Sequence, residues 1–391
     1  MVCRGIQQIT EWKSHGNKLA IYCAGLHGIM FNRIFDYLNI VVDVFLDNDE
    51  KKVGKCFDGI KCVSPVEIVN DKSYIIVICI GIEKYRTILE VAKKQGFQNI
   101  IDFRSVLDDL IVYHNNLFLD LINRRYYENS ADLFYTNDGM IYTSELRSIA
   151  RNGDRIAVYT GAFGGYDDFF EPMVFPDNID YYYISDEEPA RQSSYTWMCA
   201  NDIIPNHIVS PIKRNRYIKM HPHIIFPEYK YSIYLDANVR VISDLTDLIC
   251  DSKCGISVFE HWRRDCLYYE AMTIVNHKRI VPEDAVKQIS KYLREGMPLH
   301  FGLPELPVIA REHNKVDCVN VMNTWWEEFD NESQRDQLSF PYALWKNNYS
   351  LTDVAVLGNC IRESKWFKFY NHHYNSKNIR NDKIIETSGK S

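Results

Sequence analysis

The sequence predicts an α/β protein in which a small Rossmann-like parallel sheet is followed by a larger mixed α/β unit. Three observations predict it. Apolar runs alternate with stretches of helical spacing through both halves, the pattern of strands joined by crossover helices. Each half has an early strand that runs into a glycine-rich turn, Gly25–Gly28 or Gly161–Gly165, and a following strand that ends in aspartate, Asp47 or Asp186. The second half adds a buried-type strand, Tyr231–Leu235, that ends in Asp236-Ala237-Asn238 and is followed at once by the apolar run Val239–Ile242.

Residues 1–105 read as one domain. Lys18–Ala24 is a strand, Gly25–Gly28 a tight turn and Ile29–Leu38 an apolar-periodic helix. Val41–Leu46 is the second strand. Ser64 suits an N-cap with Pro65 at the first helical position. Tyr74–Ile80 is a continuous apolar run, as in a strand buried on both faces. Glu83–Gln95 is helical and Asn99–Phe103 returns as a strand. The turn is an incomplete dinucleotide fingerprint, because Cys23 stands where the first glycine of GxGxxG would be. Asp47 stands where a ribose-binding acid would sit. A nucleotide site and a docking domain both remain open here. Within 106–150, Val106–Tyr127 has helical spacing and reads as a connector.

The second domain is expected over 151–375, ahead of a polar tail at 376–391. Arg155–Thr160 and Tyr181–Ser185 are its first strands. A turn opening at Thr160 and Gly161 can hold a nucleotide's base and Asp186 its ribose, although each piece alone is also ordinary strand punctuation. Arg214–Phe226 carries several cations, Lys219 among them, just ahead of the Asp236 strand. Asp236 and Asn238 point the same way because strand side chains alternate. That pair suits a hard divalent cation that bridges to a diphosphate; a strand and a plain Asp/Asn turn is the competing reading.

Composition narrows the classes. The chain has 391 residues, 46% hydrophobic and 25% charged, enough for two soluble domains. A net charge of -7 without a basic stripe gives no support to a nucleic-acid partner. The eleven cysteines are scattered without a CxxC pair, which predicts free thiols in a reducing, cytoplasmic setting. No signal pattern and no apolar run long enough to span a membrane is present in the sequence.

A nucleotide-type turn, an Asp-terminated strand, a basic segment and an Asp-x-Asn strand follow one another in the order that a GT-A glycosyltransferase needs to grip a sugar nucleotide. Three ordered blocks carry a closer likeness. They are Lys219-x-x-Pro222-His223-x-x-Phe226-Pro227-x-Tyr229-x-Tyr231-Ser232-Ile233-Tyr234-Leu235-Asp236-x-Asn238-Val239-x-Val241, then Glu260-His261-x-x-Arg264-Asp265-Cys266-x-Tyr268-Tyr269-Glu270-Ala271, and lastly Trp325-Trp326-Glu327-Glu328 with Arg335-Asp336-Gln337-Leu338-Ser339-Phe340-Pro341. Over about 155–375 the chain resembles a GT-A-like glycosyltransferase family that includes plant pectin galacturonosyltransferases and bacterial capsule or O-antigen proteins. The front domain resembles the small Rossmann domain of bacterial sugar acyltransferases, on Gly25, Gly28, the FLDND stretch, Asp58-Gly59 and Ser64-Pro65-Val66-Glu67.

The resemblance implies a nucleoside-diphosphate sugar as donor, UDP-linked, with Mn²⁺ or Mg²⁺, and a surface glycan as acceptor. It implies retention of the anomeric configuration, from the likeness of YLDAN to the YLDAD strand of retaining enzymes. Asp236 and Asn238 would hold the metal and diphosphate, with His372 or His373 as a further metal ligand. Lys219 and Arg264 would face the diphosphate, and His261 an acceptor hydroxyl or the metal. Arg335, Asp336 and Gln337 would form the sugar face, with capping of the apolar helix after Asp336 as that residue's other reading. Trp325-Trp326 would wall the sugar pocket. Peripheral association with a polysaccharide assembly complex and a homo-oligomer are both compatible with this reading. A sugar nucleotidyl- or phosphotransferase and a non-catalytic sugar-nucleotide-binding scaffold are the alternatives.

Overall fold

The computed structural model describes residues 5–123, 146–151, 153–164 and 169–370. The chain divides into two compact units, Met1–Thr136 with Tyr268–Leu299, and Asn137–Leu267 with His300–Ser391.

The first unit is built on β1 (Lys18–Tyr22), β2 (Val44–Leu46), β3 (Cys56–Phe57), β4 (Ile60–Val63), β5 (Tyr74–Ile78) and β6 (Ile100–Asp102), in the order β3-β4-β2-β1-β5-β6. All neighbours pair in parallel except β3 with β4. The order turns around between β1 and β5, as in doubly wound sheets. The β3–β4 hairpin turns at Asp58 (φ 45°) and Gly59 (φ 80°), the paired positive φ values that favour Asp-Gly in a two-residue loop. The carboxylate expected to meet a ribose is engaged at home. Asp47 Oδ2 accepts from Ala24 N at 3.0 Å and Lys52 Nζ at 2.8 Å, and Oδ1 accepts from Asp49 N at 2.9 Å.

The expected connector is two helices, Phe103–Tyr113 and Asn115–Asn123, broken at His114; residues 124–145 lie outside the described residues. Asp102 caps the first, accepting from Arg104 N at 2.9 Å. Both helices group with the first unit, and so does Tyr268–Leu299, which the sequence reading kept inside 151–375. Tyr269 donates to Asp108 Oδ1 at 2.7 Å. The first unit is therefore closed by helices from the far side of the sequence.

The second unit holds β7 (Ile156–Gly161), β8 (Ile179–Ser185), β9 (Thr196–Cys199), β10 (Tyr231–Leu235), β11 (Val239–Val241), β12 (Ile256–Glu260), β13 (Pro304–Arg311), β14 (Ala355–Val356) and β15 (Phe367–Phe369). Seven form a sheet ordered β14-β12-β13-β10-β7-β8-β9, and β11 pairs with β15. β10, β7, β8 and β9 are parallel, and β13 runs against both β10 and β12. The carboxyl ends of β12, β10, β7 and β8 therefore share one edge with the amino end of β13. The core on either face is apolar, with Ile156, Val158, Ile233 and Leu235 on one side and Ala157, Tyr159 and Tyr234 on the other.

Two histidines are sealed into this unit. His221 Nδ1 lies 2.9 Å from Tyr217 O and His313 Nε2 lies 2.9 Å from Phe226 O. Burial is the main cause that pushes each down to about 4. Their folded pKa values lie below the unfolded value of about 6.5, so the unfolded chain takes up protons first. Stability is full above that value and is lost as pH falls towards 4, by roughly 3 kcal/mol per histidine. Urea midpoints measured from pH 7 to 4.5 are expected to fall through this window, with a shallower fall in His313→Gln. Equal slopes for the two proteins would contradict the assignment.

Candidate active site

The residues with chemistry gather on the carboxyl edge of the second sheet. β10 delivers Asp236 just past its end, where Asp236 N donates to Pro307 O at 2.8 Å. Beside it runs the helix Pro211–Met220, started by Ser210 at the N-cap and Pro211 at the first position. Arg216 and Lys219 are three residues apart on this helix and so share a face. The helix packs close to β7 because residue 161 is glycine. A Cβ there would stand 2.5 Å from Ile218 Cδ1 and 2.6 Å from Ile184 O.

Four charged groups meet here. Lys219 Nζ donates to Asp336 Oδ2 at 2.7 Å and stands 3.9 Å from Asp236 Oδ1. Arg216 Nε lies 2.8 Å from the same Asp336 oxygen. Side-chain exposure is 1% for Lys219 and 9% for Asp336, against 28% for Asp236. Tyr234, two residues before Asp236 on the same strand face, is close to Asp236 Oδ1 at 2.9 Å and Asn215 Oδ1 at 3.2 Å through its hydroxyl. Asn215 in turn donates to Gly161 O at 3.0 Å, which ties the end of β7 to the end of β10.

The electrostatics follow from this packing. Burial alone would raise the Asp336 pKa, but the charges of Arg216, Lys219 and Arg335 outweigh it and hold Asp336 far below the usual carboxylate range. Burial pulls Lys219 down, opposed by Asp336 and Asp236. Asp336 is thus a fixed anion. It is the first residue of the helix Asp336–Lys346 rather than its cap, which is Arg335. Its carboxylate is held by cations from another helix.

A cleft of about 560 Å³ opens at the ends of β7 and β8, lined in part by Ala162, Gly164, Tyr183, Ser185 and Asp186. Asp186 pairs with Arg214 Nη2 at 2.7 Å and keeps 43% side-chain exposure. Thr160, at the end of β7, is 2% exposed, and its hydroxyl has no hydrogen-bond partner among the described residues. A buried hydroxyl without a partner is unusual, although Thr160 is not among the residues that line the cleft. A second cleft, of about 470 Å³ around Lys230, Glu312 and Lys315, lies by the opposite ends of β10 and β13.

His261 and Arg264 follow β12. His261 Nδ1 accepts from Arg263 N at 3.2 Å and Arg264 N at 3.1 Å, and Arg264 Nη2 lies 3.1 Å from Nε2. Burial first, then Arg264 and Arg263, keep His261 well below the usual histidine range and hence neutral. Gln337 Nε2 donates to Pro304 O at 2.5 Å, fastening the Asp336 helix to the start of β13. Trp325 is not a pocket wall: it is fully buried in the core and donates from Nε1 to Asp336 O at 3.1 Å. Trp326 packs against Tyr217 and His221. His372 and His373 lie outside the described residues. Arg216, Asn215 and Tyr234 contact this cluster and were not singled out by the sequence reading. The spacing of Arg216 from Lys219 and of Tyr234 from Asp236 is the signal that would have found those two.

The donors that Asp236 and Asn238 would offer a divalent cation are two oxygens, set by the turn after β10. Asn238 Nδ2 donates to Tyr370 O at 3.0 Å, which leaves the amide oxygen as its ligand atom. Asp236 keeps its second carboxylate oxygen, with no protein hydrogen bond among the described residues. No three His, Cys, Asp or Glu side chains converge as a ligand set among the described residues. Two oxygens suit a cation that retains waters and takes its remaining ligands from substrate phosphates, not a protein cage.

A family model described as TOD1/MUCI70, glycosyltransferase-like domain, matches residues 136–372, more than half of the chain. The chain belongs to the TOD1/MUCI70 glycosyltransferase-like domain family. The matched range takes in every residue of the edge described above. No curated protein matches the chain. Among solved structures, it is similar to the apo structure of the WbbM bifunctional glycosyltransferase, with 11% identity, a TM-score of 0.32, and coverage of 52% of this chain and 39% of that one. It is also similar to a glycosyltransferase involved in the glycosylation of the major capsid of PBCV-1, with 12% identity, a TM-score of 0.20, and coverage of 45% and 67%. The chain thus spans well under half the length of the first of these structures. Among the described residues of this TOD1/MUCI70 family member, no helix is long and apolar enough to cross a membrane.

Proposed function

We propose that this chain is a glycosyltransferase that moves a sugar from a nucleoside-diphosphate sugar, UDP-linked, to a glycan acceptor. One observation carries the reading: a nucleoside-sized cleft and a buried carboxylate–cation cluster lie on the same sheet edge, bridged by Asn215 between Gly161 O and Tyr234. Family membership supports the same chemistry.

The nucleoside lies over Gly161–Gly164 with its ribose on Asp186 and a polar group on Thr160. The diphosphate reaches Asp236 and Asn238, which would hold Mn²⁺ or Mg²⁺; a bound cation would offset the negative charge of the leaving diphosphate. The sugar lies against Asp336. Because Asp336 is fixed as an anion, it does not donate a proton. It accepts hydrogen bonds from sugar hydroxyls and opposes the positive charge that grows on the ring as the leaving group departs. Lys219 and Arg216 keep it ionised. Retention of configuration and a growing surface polysaccharide as acceptor complete the reading on the motif resemblance, and the scattered cysteines point to the cytoplasm as the place of reaction. 

The test is UDP release from UDP-glucose, UDP-galactose, UDP-N-acetylglucosamine and UDP-glucuronate in the presence of Mn²⁺. Release from one of them above the blank is expected. UDP binding without release from any donor, with any oligosaccharide added, would favour a sugar-nucleotide-binding scaffold instead.

A further inference from the structure

Arg311, the last residue of β13, is 1% exposed and meets no carboxylate among the described residues. Nη1 donates to Lys219 O at 2.6 Å and Nη2 to Tyr159 OH at 2.7 Å. The Tyr159 hydroxyl passes the contact on by donating to Ile218 O at 3.0 Å. Nη1 also lies 3.3 Å from Met322 Sδ. Burying a guanidinium among neutral acceptors is costly, so a core that needed only volume would use an apolar side chain here. What the charge and the fork achieve is a grip on two successive carbonyls, those of Ile218 and Lys219, in the last turn of the Pro211–Met220 helix. A cation is also favoured at a helix carboxyl end. The same lysine is held at its other end by Asp336, and its ammonium lies over the Tyr234 and Trp325 rings at 5.2 and 5.7 Å from their centroids.

We infer that Arg311 is a positioning residue for the proposed transfer: by fixing the backbone of Lys219 it sets the ammonium against Asp336 and near Asp236. The inference rests on the function proposed above. Arg311 touches neither carboxylate and is not among the residues lining the nucleoside cleft, so its loss should lower turnover and spare nucleotide affinity.

The experiment compares wild type, Arg311→Met and Arg311→Lys by thermal melting, UDP titration and UDP release from the four donors above. For Arg311→Met we expect a cooperative melt, a UDP Kd within about threefold of wild type, and release about 100-fold slower, the scale of a 1 Å misplacement. Arg311→Lys should recover at least tenfold of that loss. Release within threefold of wild type in Arg311→Met, or no difference between Met and Lys, would overturn the inference. If Arg311→Met does not fold, Tyr159→Phe removes one arm of the grip and should slow release about tenfold by the same argument; an unchanged rate overturns the inference. A crystal structure of the folded variant decides independently of turnover. Lys219 Nζ is expected beyond hydrogen-bonding distance of Asp336, and an unmoved ammonium would refute the positioning role. Wild type that releases UDP from no donor would instead count against the proposed function, and the crystal distance would still judge Arg311.

Discussion

Asp336→Asn is expected to reduce sugar transfer by about 10³-fold, the scale seen when one preorganised electrostatic contact to a transition state is removed. The substitution keeps shape and removes charge. Lys219 and Arg216 lose the anion that both of them contact, and Asp236 at 3.9 Å from Lys219 is a poor replacement. Breaking a buried ion pair by deleting one partner costs about 3–5 kcal/mol. The melting temperature should therefore fall along with the rate. UDP affinity should stay within a few-fold, because the nucleoside cleft is lined by other residues. Steady-state rates, melting and titration on one preparation check all three. Activity within tenfold of wild type would remove Asp336 from the sugar face.

Lys219→Met should cost about 100-fold in rate by loosening Asp336 from its productive geometry, and it should change the pH dependence as well. The low pKa of Asp336 is a balance in which burial raises it and Arg216, Lys219 and Arg335 lower it. Removing one cation shifts the balance upward. Wild type keeps its carboxylate down to pH values below the working range, so its rate has no acid limb from this group. The variant should lose activity as pH falls through the raised pKa, at a higher pH than wild type does. Rate profiles from pH 5 to 8 test this; coincident profiles would mean that Lys219 does not hold Asp336 ionised.

Much of this site is readable from sequence because strand and helix periodicity put its members on common faces. Asp236 ends an unmistakable strand, and Asp336 and Lys219 lie in ordered motif blocks around it. Their meeting is a different matter: 117 residues separate them, and only the packing of the Pro211–Met220 helix over β7, permitted by Gly161, brings the ammonium to the carboxylate. Trp325 illustrates the opposite error. A tryptophan beside site residues invites a pocket role, yet its helical neighbours Val321, Met322 and Phe329 bury it in the core. The grouping of Tyr268–Leu299 with the first unit left no mark in the sequence either. An amphipathic helix shows that it buries a face, but not against which partner.

The most direct test of the account is calorimetric titration of UDP, with and without Mn²⁺, into wild type and Asp236→Ala. The account predicts Mn²⁺-dependent UDP binding that is lost in Asp236→Ala. Binding that ignores both the metal and the substitution would contradict it, and would move the diphosphate site away from the end of β10.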